Sequence, residues 1–373
     1  MVSIGVVGLG NIGLRTAWLL AGKGYNVIGV DSRMSAVRKA ESMGLEAKLL
    51  DALSLEALRT LASKVDAVAL ALPSSISYKA LLNLATLGVD VVDVSFFRGD
   101  LGEIELEARN TGSRVIVYAG FSPGLSNVLV ARGVKMVGGK RARVYSGGIS
   151  EDPGSPLGLS ATWNTEDLVE EYVRPARLIR GGALHVVDPL EGPVEKVEVS
   201  DVGTLECFYT DGLGSLLQTF NHLEELAECT LRWPGHVAIM RELKSLSMLA
   251  REPVEVSGCP VYPASFLAEL LKRVSAKNRD IALLKVVVEG DLGSVRFESI
   301  VKSTENWSAT SIAVGSVQAA MVSAMLSGLA PGDGGIIYPE LFGEDEKAYS
   351  TLIGLIREWG VPVEETALTQ EPV

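Results

Sequence analysis

The segment Gly8-Leu9-Gly10-Asn11-Ile12-Gly13 lies between a β-branched run at residues 2–7 and a stretch whose apolar residues recur at helical spacing. A second strand-like run at residues 25–30 ends in Asp31. In such a unit the first glycine allows a tight turn, the second lets the main chain approach a pyrophosphate, and the third lets helix and strand pack closely. This order predicts a dinucleotide-binding unit with the phosphates at the helix N-terminus, and the predicted contacts are Gly8, Gly10, Asn11, Ile12 and Gly13.

The residues after the second strand bear on which nicotinamide dinucleotide binds. Asp31 can accept hydrogen bonds from both adenosine ribose hydroxyls, which favours NAD because a 2'-phosphate would meet a carboxylate. Ser32 is predicted at the same contact, and Arg33 also suits a 2'-phosphate, so NADP is not excluded. Asp51, at the end of a third short strand, either borders the adenine or caps the next helix.

Two further strand ends place polar residues where parallel sheets bind their ligands. The fourth strand-like run ends in Leu72 and Pro73, and the fifth, residues 89–97, carries Asp93 and Ser95. Ligands of open α/β sheets bind outside the carboxyl ends of strands, where the strand order reverses. We therefore predict Leu72, Pro73 and Ser95 as cofactor contacts. Asp93 is predicted to face the nicotinamide or substrate, with a hydrogen-bonded loop acid as the alternative.

Beyond residue 141 the apolar periodicity changes to two, and the earlier alternation of strand and helix is lost. Strands are predicted at residues 142–147, 159–163, 194–199, 204–210, 282–289 and 294–301. Helices are predicted at residues 165–172, 216–226, 237–249 and 264–274. This mixture indicates an α+β domain with a mainly antiparallel sheet, whose second face could pair with another subunit.

The predicted fold class is therefore α/β, a Rossmann dinucleotide-binding domain followed by an α+β substrate and dimerisation domain. The first domain is expected at residues 1–121 and the second at residues 122–305. A C-terminal helical segment, residues 306–373, is expected to return to the first domain. A homodimer or a larger homo-oligomer is expected.

Composition limits the classes of partner. The net charge is -12, and no stretch clusters Lys and Arg, so neither nucleic acid nor a membrane surface is expected as a partner. The three cysteines and three histidines form no local zinc motif, so no metal is expected. The apolar tract at residues 311–330 contains Gln318 and four serines, which favours a buried helix over a membrane span. A cytoplasmic location is expected.

Several blocks of the chain are similar to one known family. They are the glycine loop at residues 8–13, Gly-Phe-Ser-Pro-Gly-Leu-Ser-Asn at residues 120–127, Glu-Tyr-Val-Arg-Pro-Ala-Arg at residues 171–177, the segment 203–213 and Thr-Leu-Arg-Trp-Pro-Gly-His at residues 230–236. On these blocks the chain resembles the saccharopine dehydrogenase-like superfamily, most closely the branch that contains lysine 6-dehydrogenases. The blocks span nearly the whole chain in the expected order.

The resemblance implies NAD-dependent oxidation at a carbon that bears an amine, with a small amino acid or amine as substrate. For the lysine 6-dehydrogenase branch the ε-amine is removed, giving 2-aminoadipate 6-semialdehyde, which cyclises to a piperideine carboxylate. Relatives that act on saccharopine often carry Asp before Pro-Gly, where this chain has Ser122. Ser122 therefore favours a smaller substrate. The alternatives are a saccharopine-type enzyme acting on a secondary amine and a non-catalytic NAD-binding assembly protein.

Hydride transfer needs a neutral amine, so a group near the substrate must accept a proton. His236 is predicted for this role because the unperturbed pKa of histidine lies close to neutrality, with helix capping as the alternative. An amino-acid carboxylate is bound well by arginine, for which Arg232 is the first candidate and Arg174 the second. For both arginines a solvated surface charge is the alternative.

The remaining predicted substrate contacts are polar or aromatic residues at strand ends. Asp211 and Asp93 are predicted acceptors for the amino groups, and Thr210, Ser122 and Phe97 are predicted to contact the substrate. Residues 209–212 also read as an ordinary strand-to-turn exit. The acidic residues Glu224, Glu225 and Glu228 are predicted to lie on a solvated helix face, His185 is predicted to be structural, and His222 is predicted to lie on a surface or in packing.

Overall fold

The computed structural model describes residues 1–160, 165–275, 279–330 and 332–368. Its strands are β1 (Ser3–Val7), β2 (Asn26–Asp31), β3 (Glu46–Leu49), β4 (Ala67–Leu70), β5 (Asp90–Asp93), β6 (Arg114–Ile116), β7 (Gly139–Ser150), β8 (Ala176–Arg180), β9 (Ala183–Val187), β10 (Glu195–Val199), β11 (Gly203–Tyr209), β12 (Glu225–Arg232), β13 (Val254–Val256), β14 (Cys259–Val261), β15 (Asp280–Gly290), β16 (Gly293–Lys302), β17 (Gly335–Ile337) and β18 (Glu364–Leu368).

The helices follow the same chain order. They are α1 (Asn11–Gly22), α2 (Met34–Ser42), α3 (Leu55–Ala62), α4 (Ser74–Thr86), α5 (Gly102–Thr111), α6 (Leu125–Val137), α7 (Thr165–Val173), α8 (Leu216–Thr219), α9 (His236–Ser245), α10 (Pro263–Ser275), α11 (Ala309–Leu326), α12 (Glu340–Glu344) and α13 (Glu346–Glu358). A single 3₁₀ turn at Pro156–Gly158 lies among the described residues.

The chain divides into two compact units. Unit 1 comprises residues 1–135 and 311–363, and unit 2 comprises residues 136–310 and 364–373, of which the structure describes the part up to 368. The sequence places its boundaries after residues 121 and 305 instead. The reason for the first difference is α6, which begins only four residues beyond the predicted boundary but lies mostly within unit 1. The assignment of functions to these segments stays a prediction.

Unit 1 is a Rossmann-type unit. Its seven strands form a parallel sheet in the order β17-β6-β5-β4-β1-β2-β3, in which the order reverses between β1 and β4. The central strands β1 and β4 are buried except at the first residue of β1, as expected for a sheet covered on both faces. The predicted fold of the first domain is confirmed.

A buried glutamine from α11 joins the elements around the strand-order reversal. The Gln318 amide nitrogen donates to the carbonyls of Leu70 and Val92 at 2.9 and 3.0 Å, and its oxygen accepts from the Thr16 hydroxyl at 2.8 Å. The side chain thus links α11 to α1, β4 and β5 with its polar atoms satisfied.

Helix α11 is long and apolar enough to span a membrane, with a mean hydropathy of 1.5 over 18 residues. However, 83% of that window is buried inside the protein. It behaves as a core helix of the described chain. The predicted buried helix in this tract is confirmed.

Unit 2 is built on a nine-stranded, mainly antiparallel sheet. The order is β10-β11-β12-β7-β15-β16-β18, and β8 pairs with both β12 and β9. The pairing of β12 with β7 is parallel, whereas the other pairings in this sheet are antiparallel. One face packs an apolar cluster that includes Leu205, Cys207 and Leu231. The predicted α+β architecture is confirmed.

Two predicted elements of unit 2 either differ from the structure or lie partly outside the described residues. The predicted helix at residues 216–226 stops at Thr219, and its end is the start of β12, because residues 225–232 are buried as a strand between β11 and β7. The predicted strand at 159–163 falls partly on residues 161–164, outside the described ranges, and Leu159 and Ser160 are not in a strand. The sequence analysis predicts no strand at the positions of β8, β9, β12, β13, β14 and β18.

Candidate functional site

The glycine loop of unit 1 has the backbone geometry that its sequence predicts. Gly8 has φ +92°, and a Cβ there would lie 2.3 Å from the Ala71 carbonyl oxygen. A Cβ on Gly13 would lie 1.8 Å from the Gly8 carbonyl oxygen, whereas one on Gly10 would meet nothing within 4 Å. The outer glycines are therefore required by packing. The middle one leaves open space at the start of α1, where a pyrophosphate binds in such units.

The carboxylate of Asp31 lies at the end of β2 and is fully engaged. Its Oδ2 accepts the Leu9 amide at 2.8 Å, and its Oδ1 accepts the Arg33 amide at 2.8 Å. The Arg33 guanidinium adds bonds from Nε at 3.1 Å and Nη2 at 3.2 Å. Burial raises the pKa of Asp31, but the hydrogen bonds from Arg33 and Leu9 outweigh it and the pKa is lowered. Asp31 is therefore ionised, as the ribose hydroxyls require.

The other predicted adenosine contacts are less constrained. Ser32 is exposed beside Asp31. Asp51 is exposed and accepts the Leu53 amide at 2.9 Å, so it closes a turn, and the cap of α3 is Ser54 instead. The capping alternative for Asp51 is thus wrong, and its contact with adenine stays a prediction.

The strand ends beside the order reversal are joined by a buried acid. Asp93 accepts the Ser77 hydroxyl at 2.7 Å and the Ser95 amide at 2.6 Å, and the Ser95 hydroxyl donates to the Leu72 carbonyl at 3.2 Å. Burial raises the pKa of Asp93 to about 6, against the hydrogen bonds from the two serines. Pro73 precedes α4 as its N-cap residue. Asp93 thus organises this edge of the sheet, and its catalytic role stays a prediction.

Two predicted substrate contacts in unit 1 are largely enclosed. The Phe97 ring is 7% exposed and packs edge-on against Tyr78, at 6.3 Å between centroids, in the apolar core. Ser122 precedes a cis proline, and its buried hydroxyl oxygen has no hydrogen-bond partner among the described residues. Phe97 is therefore a core side chain of unit 1, and the contact of Ser122 with a substrate stays a prediction.

Unit 2 brings together residues that are far apart in sequence. On β12, Glu228, Thr230 and Arg232 alternate with apolar residues and therefore share one face of the sheet. Arg232 is 2% exposed, and its guanidinium pairs with Glu171 and donates to the Tyr172 hydroxyl at 3.1 Å. The surface-charge alternative for Arg232 is wrong. A substrate carboxylate could reach this guanidinium only by displacing Glu171, whose side chain is 25% exposed.

The next member of the network is His236, the first residue of α9. Its Nδ1 lies 2.8 Å from the Leu157 carbonyl and its Nε2 lies 2.9 Å from the Tyr172 hydroxyl. Because a carbonyl only accepts, Nδ1 carries the proton, Tyr172 donates to Nε2, and the tyrosine oxygen accepts from Arg232. A single chain of hydrogen bonds therefore runs from Glu171 through Arg232, Tyr172 and His236 to Leu157.

The network keeps His236 neutral. Burial and the Arg232 guanidinium lower the pKa of His236 to about 3, against the hydrogen bond with Leu157. Burial raises the pKa of Tyr172 to about 12, although Arg232 opposes it. His236 therefore does not have the near-neutral pKa on which its predicted role as proton acceptor depends. The capping alternative is wrong as well, because Glu206 accepts the amides of Gly235 and Val237 at the start of α9.

A buried acid on the same sheet face, Glu228, has a raised pKa, in contrast to the lowered pKa of His236. Glu228 is 3% exposed and accepts the hydroxyls of Ser146 at 2.6 Å and Thr210 at 2.8 Å. Burial raises the pKa of Glu228 to about 7, and the nearby carboxylates Glu171 and Asp211 add to the shift. The predicted solvated helix face is wrong for Glu228, which is a buried strand residue able to gain or lose a proton near neutral pH.

The neighbouring turn holds the remaining predicted residues. The Thr210 hydroxyl donates to the Glu228 carboxylate and lies 2.8 Å from the Thr230 hydroxyl. Asp211 pairs with Arg177, with 2.9 Å between Oδ1 and Nε. A Cβ on Gly212 would lie 2.2 Å from a Glu228 oxygen, so any larger residue there would displace the buried Glu228 carboxylate.

The second arginine candidate and the other histidines lie outside this network. Arg174 is partly exposed, with Nε 3.8 Å from Glu170. His185 on β9 and His222 are exposed. Among the described residues no group of His, Cys, Asp and Glu could hold a metal ion.

The sequence analysis does not identify Glu171 and Tyr172 as members of the hydrogen-bonded chain, or Glu228 as a buried acid on the same sheet face. The signals for Glu228 were a carboxylate two residues before Thr230 and four before Arg232, which is strand spacing. The link to Tyr172 has no local signal, because residues 172 and 236 meet only through the packing of α7 and α9.

Comparisons with known proteins agree with both units. Residues 120–361 match the saccharopine dehydrogenase C-terminal domain family, and residues 2–89 match the NAD-binding domain of D-isomer specific 2-hydroxyacid dehydrogenases. Apo saccharopine dehydrogenase (L-Glu forming) from Saccharomyces cerevisiae matches with a TM-score of 0.80 and 17% identity, over 99% of this chain and 100% of that one. That likeness shows a shared fold.

More distant matches include dehydrogenase structures that contain ligands. A mutant meso-dapdh with DAP from Clostridium tetani E88 gives a TM-score of 0.48 at 12% identity, over 94% of this chain and 96% of that one. GenD2 from gentamicin A biosynthesis, in complex with NAD, gives 0.44 at 14% identity, over 99% and 97%.

Proposed function

The chain belongs to the saccharopine dehydrogenase family and carries an NAD-binding domain, and on this premise we propose that it oxidises the ε-amine of L-lysine with NAD. The products are 2-aminoadipate 6-semialdehyde, ammonium, NADH and a proton, with water as the second substrate. The aldehyde then closes on the α-amine to give the piperideine carboxylate.

The observation that carries this proposal is the polar sheet face of unit 2, in a chain whose first unit has a complete NAD-type loop. Bound NAD supplies the hydride acceptor. The chain itself must take a proton from the substrate ammonium before hydride transfer and must handle a second proton when water attacks the iminium. Glu228, with a pKa of about 7, is better matched to proton transfer at neutral pH than His236, with a pKa of about 3.

We assign His236 a supporting role in this reaction. As a neutral imidazole it accepts the Tyr172 hydroxyl hydrogen and so holds the phenol, which in turn accepts from Arg232. The network fixes side chains from α7, β12 and α9 against one another. This arrangement supports a preorganised polar surface, in which rigid neighbours keep the reacting groups in position.

The substrate carboxylate needs a cation that is not already buried in an ion pair. Arg232 is committed to Glu171, whereas Arg174 is 22% exposed and Arg177 is 24% exposed. The proposed contact of the substrate carboxylate is therefore Arg174 and not Arg232. The candidate acceptors for the amino groups remain Asp211 and Asp93.

A saccharopine-type reaction is the second candidate, because a saccharopine dehydrogenase shares the fold of the whole chain. Ser122 stands where relatives that act on saccharopine often carry Asp, and this difference argues against a saccharopine-type reaction. A smaller primary amine such as L-lysine needs less room than saccharopine, and it carries one carboxylate where saccharopine carries three. We also propose a homodimer in the cytoplasm.

The test is NADH formation by the purified protein with NAD and a panel of L-lysine, L-ornithine and saccharopine. We expect L-lysine to give NADH and saccharopine to give none. Activity with saccharopine alone would assign the second candidate. Tight NAD binding with no turnover on any amine would indicate a non-catalytic assembly protein instead. Light scattering on the same sample measures the oligomer.

A further inference from the structure

We propose that Ser146 is a proton-relay residue of unit 2, whose hydroxyl passes a proton from the ammonium group of the substrate to the buried carboxylate of Glu228. Both residues belong to unit 2. The identity of the substrate rests on the proposed function, whereas the contact between Ser146 and Glu228 does not. The relay deepens that function because it names the route by which the proton reaches Glu228.

Glu228 is too enclosed to contact a substrate directly. The residue is 3% exposed, and the turn after β11 covers its carboxylate. A Cβ on Gly212 in this turn would lie 2.2 and 2.6 Å from the two carboxylate oxygens. An ammonium group is about as large as a methyl group, so none fits between Gly212 and the carboxylate. A proton therefore has to reach Glu228 through a neighbouring group.

Two hydroxyl groups contact the carboxylate, and they differ in their exposure. The Thr210 hydroxyl donates to Oε2 at 2.8 Å, but Thr210 is 4% exposed and so is its other neighbour, Thr230. The Ser146 hydroxyl donates to Oε1 at 2.6 Å, and Ser146 is partly exposed. Among the described side chains that bond to this carboxylate, Ser146 is thus the one that a bound substrate can reach.

Space for a substrate lies beside Ser146 on the same face of β7. Side chains alternate along a strand, so Ser146 and Gly148 share one face and Gly147 lies on the other. A Cβ on Gly147 would lie 2.7 Å from the Leu231 carbonyl oxygen. A Cβ on Gly148 would have one neighbour within 4 Å in the described chain, the Thr310 hydroxyl at 3.9 Å. Gly148 therefore leaves Ser146 uncovered on that side.

The charges around Glu228 favour a cation at this place. Burial raises the pKa of Glu228, and the carboxylates of Glu171 and Asp211 add to the shift. Those two acids are paired with Arg232 and Arg177. Glu228 has no such partner in the described part of the chain, and its hydrogen bonds come from neutral hydroxyls. A substrate ammonium at Ser146 supplies the positive charge that the ionised carboxylate lacks.

The relay transfers protons and changes no oxidation state. A serine hydroxyl has one hydrogen, which Ser146 donates to Glu228, and two lone pairs, which can accept from the ammonium. As an N–H bond of the ammonium breaks, a new O–H bond forms on Ser146, and the original hydroxyl proton moves to Oε1 of Glu228. The products are a neutral amine, an intact serine and a neutral glutamic acid. The carbon that bears the amine can then lose hydride to NAD.

Proton uptake by Glu228 is measured first without substrate, where water takes the place of the amine. The infrared C=O band of the protonated acid, identified by its absence in Glu228→Gln, is followed on the full chain after a rapid drop in pH. In Ser146→Ala the band should appear more slowly by about tenfold, the factor for a turn opening of about 1.4 kcal/mol. The pKa should rise by about one pH unit, because the carboxylate loses a donor.

Three variants separate a relay from a structural contact. Ser146→Thr keeps the hydroxyl and should restore most of the rate. Ser299→Ala removes a buried hydroxyl from the same row of the sheet, where Leu284 lies between the two serines. The Ser299 hydroxyl has no hydrogen-bond partner among the described residues, so its loss should change neither rate nor pKa. Thr210→Val should raise the pKa of Glu228, because it also removes a donor, but should slow the band less than Ser146→Ala.

Turnover with NAD and L-lysine is measured second. At about pH 9.5, where Glu228 is ionised in both proteins, kcat of Ser146→Ala should fall about 100-fold with KM little changed, the effect of losing one group from general acid–base catalysis. Ser146→Thr should recover most of this loss. The relay is overturned if Ser146→Ala takes up the proton at the wild-type rate or keeps the wild-type kcat, or if Thr210→Val slows uptake as strongly. Uptake that depends on Ser146 in a protein that oxidises no amine would support the relay and contradict only the proposed function.

Discussion

The cofactor-binding edge of unit 1 and the polar network of unit 2 differ in the groups that form them. The first is made mainly of backbone, in which Gly8 and Gly13 are required by close approach and Gly10 leaves space. The second is made of side chains, in which Glu171, Arg232, Tyr172 and His236 satisfy one another. A backbone site tolerates little change in its glycines, whereas a side-chain network ties its stability to charge and pH.

The largest expected effect on stability comes from breaking the ion pair of unit 2 between the buried Arg232 and the partly exposed Glu171. Arg232→Met leaves Glu171 charged without its partner, and we expect a loss of about 3 to 5 kcal/mol in the free energy of urea unfolding. The matched control is Arg251→Met, which breaks the exposed pair with Glu170 and should cost less than about 1 kcal/mol. Equal losses in the two variants would contradict the account of a buried network.

The next effect is the titration of Glu228. Its folded pKa of about 7 lies above the ordinary value of 4.5, so its stabilising contribution is full below pH 4.5 and is lost as the pH rises through 7. By pH 8 the loss amounts to about 3 kcal/mol. Glu228→Gln should therefore gain stability relative to the wild type as the pH rises from 4.5 to 8. Glu255→Gln, at an exposed position, should follow the wild type throughout.

His236 is expected to act in the opposite direction. Its folded pKa of about 3 lies below the ordinary 6.5, so its contribution is full above pH 6.5 and is lost as the pH falls toward 3. The wild type should lose about 2 kcal/mol between pH 7 and pH 5 from this group alone. In His236→Gln that loss should be absent, and in the exposed control His222→Gln it should remain. Acid stability identical in both variants would show that His236 is not held neutral.

The smallest expected change in stability tests the backbone site. Gly10→Ala should leave the melting temperature unchanged, because its Cβ meets nothing within 4 Å and its φ is -69°. NAD affinity should fall by about tenfold, equivalent to about 1.4 kcal/mol, because the methyl group occupies the space of the pyrophosphate. Gly13→Ala, whose Cβ would lie 1.8 Å from the Gly8 carbonyl oxygen, should lower the melting temperature as well. Unchanged NAD binding in Gly10→Ala would place the phosphates elsewhere.

The two regions also differ in how well the sequence predicts them. Residues 8–13 and Asp31 carry their geometry locally, because the glycine spacing constrains the turn and the helix start. The alternation of strands and helices in unit 1 follows from the same periodicity. These parts of the fold and of the candidate cofactor site could be predicted.

The network of unit 2 could not be assembled from the sequence, because its members meet only after β12, α7 and α9 have packed. A run of acidic and apolar residues at 216–226 has helical spacing, and the burial of residues 225–232 between two strands overrides it. The same burial shifts the pKa of Glu228 upward and that of His236 downward. Residue type predicted that a proton acceptor would be present, but burial decides which side chain is suited to the role.

The central claim is that hydride leaves the carbon bearing the ε-amine of L-lysine and is transferred to NAD. It is tested most directly by incubating the protein with NAD and L-lysine deuterated either at C6 or at C2, followed by mass spectrometry of the NADH. The account predicts deuterium in NADH from the C6-labelled lysine alone. Deuterium from the C2-labelled lysine, or unlabelled cofactor in both reactions, would contradict it.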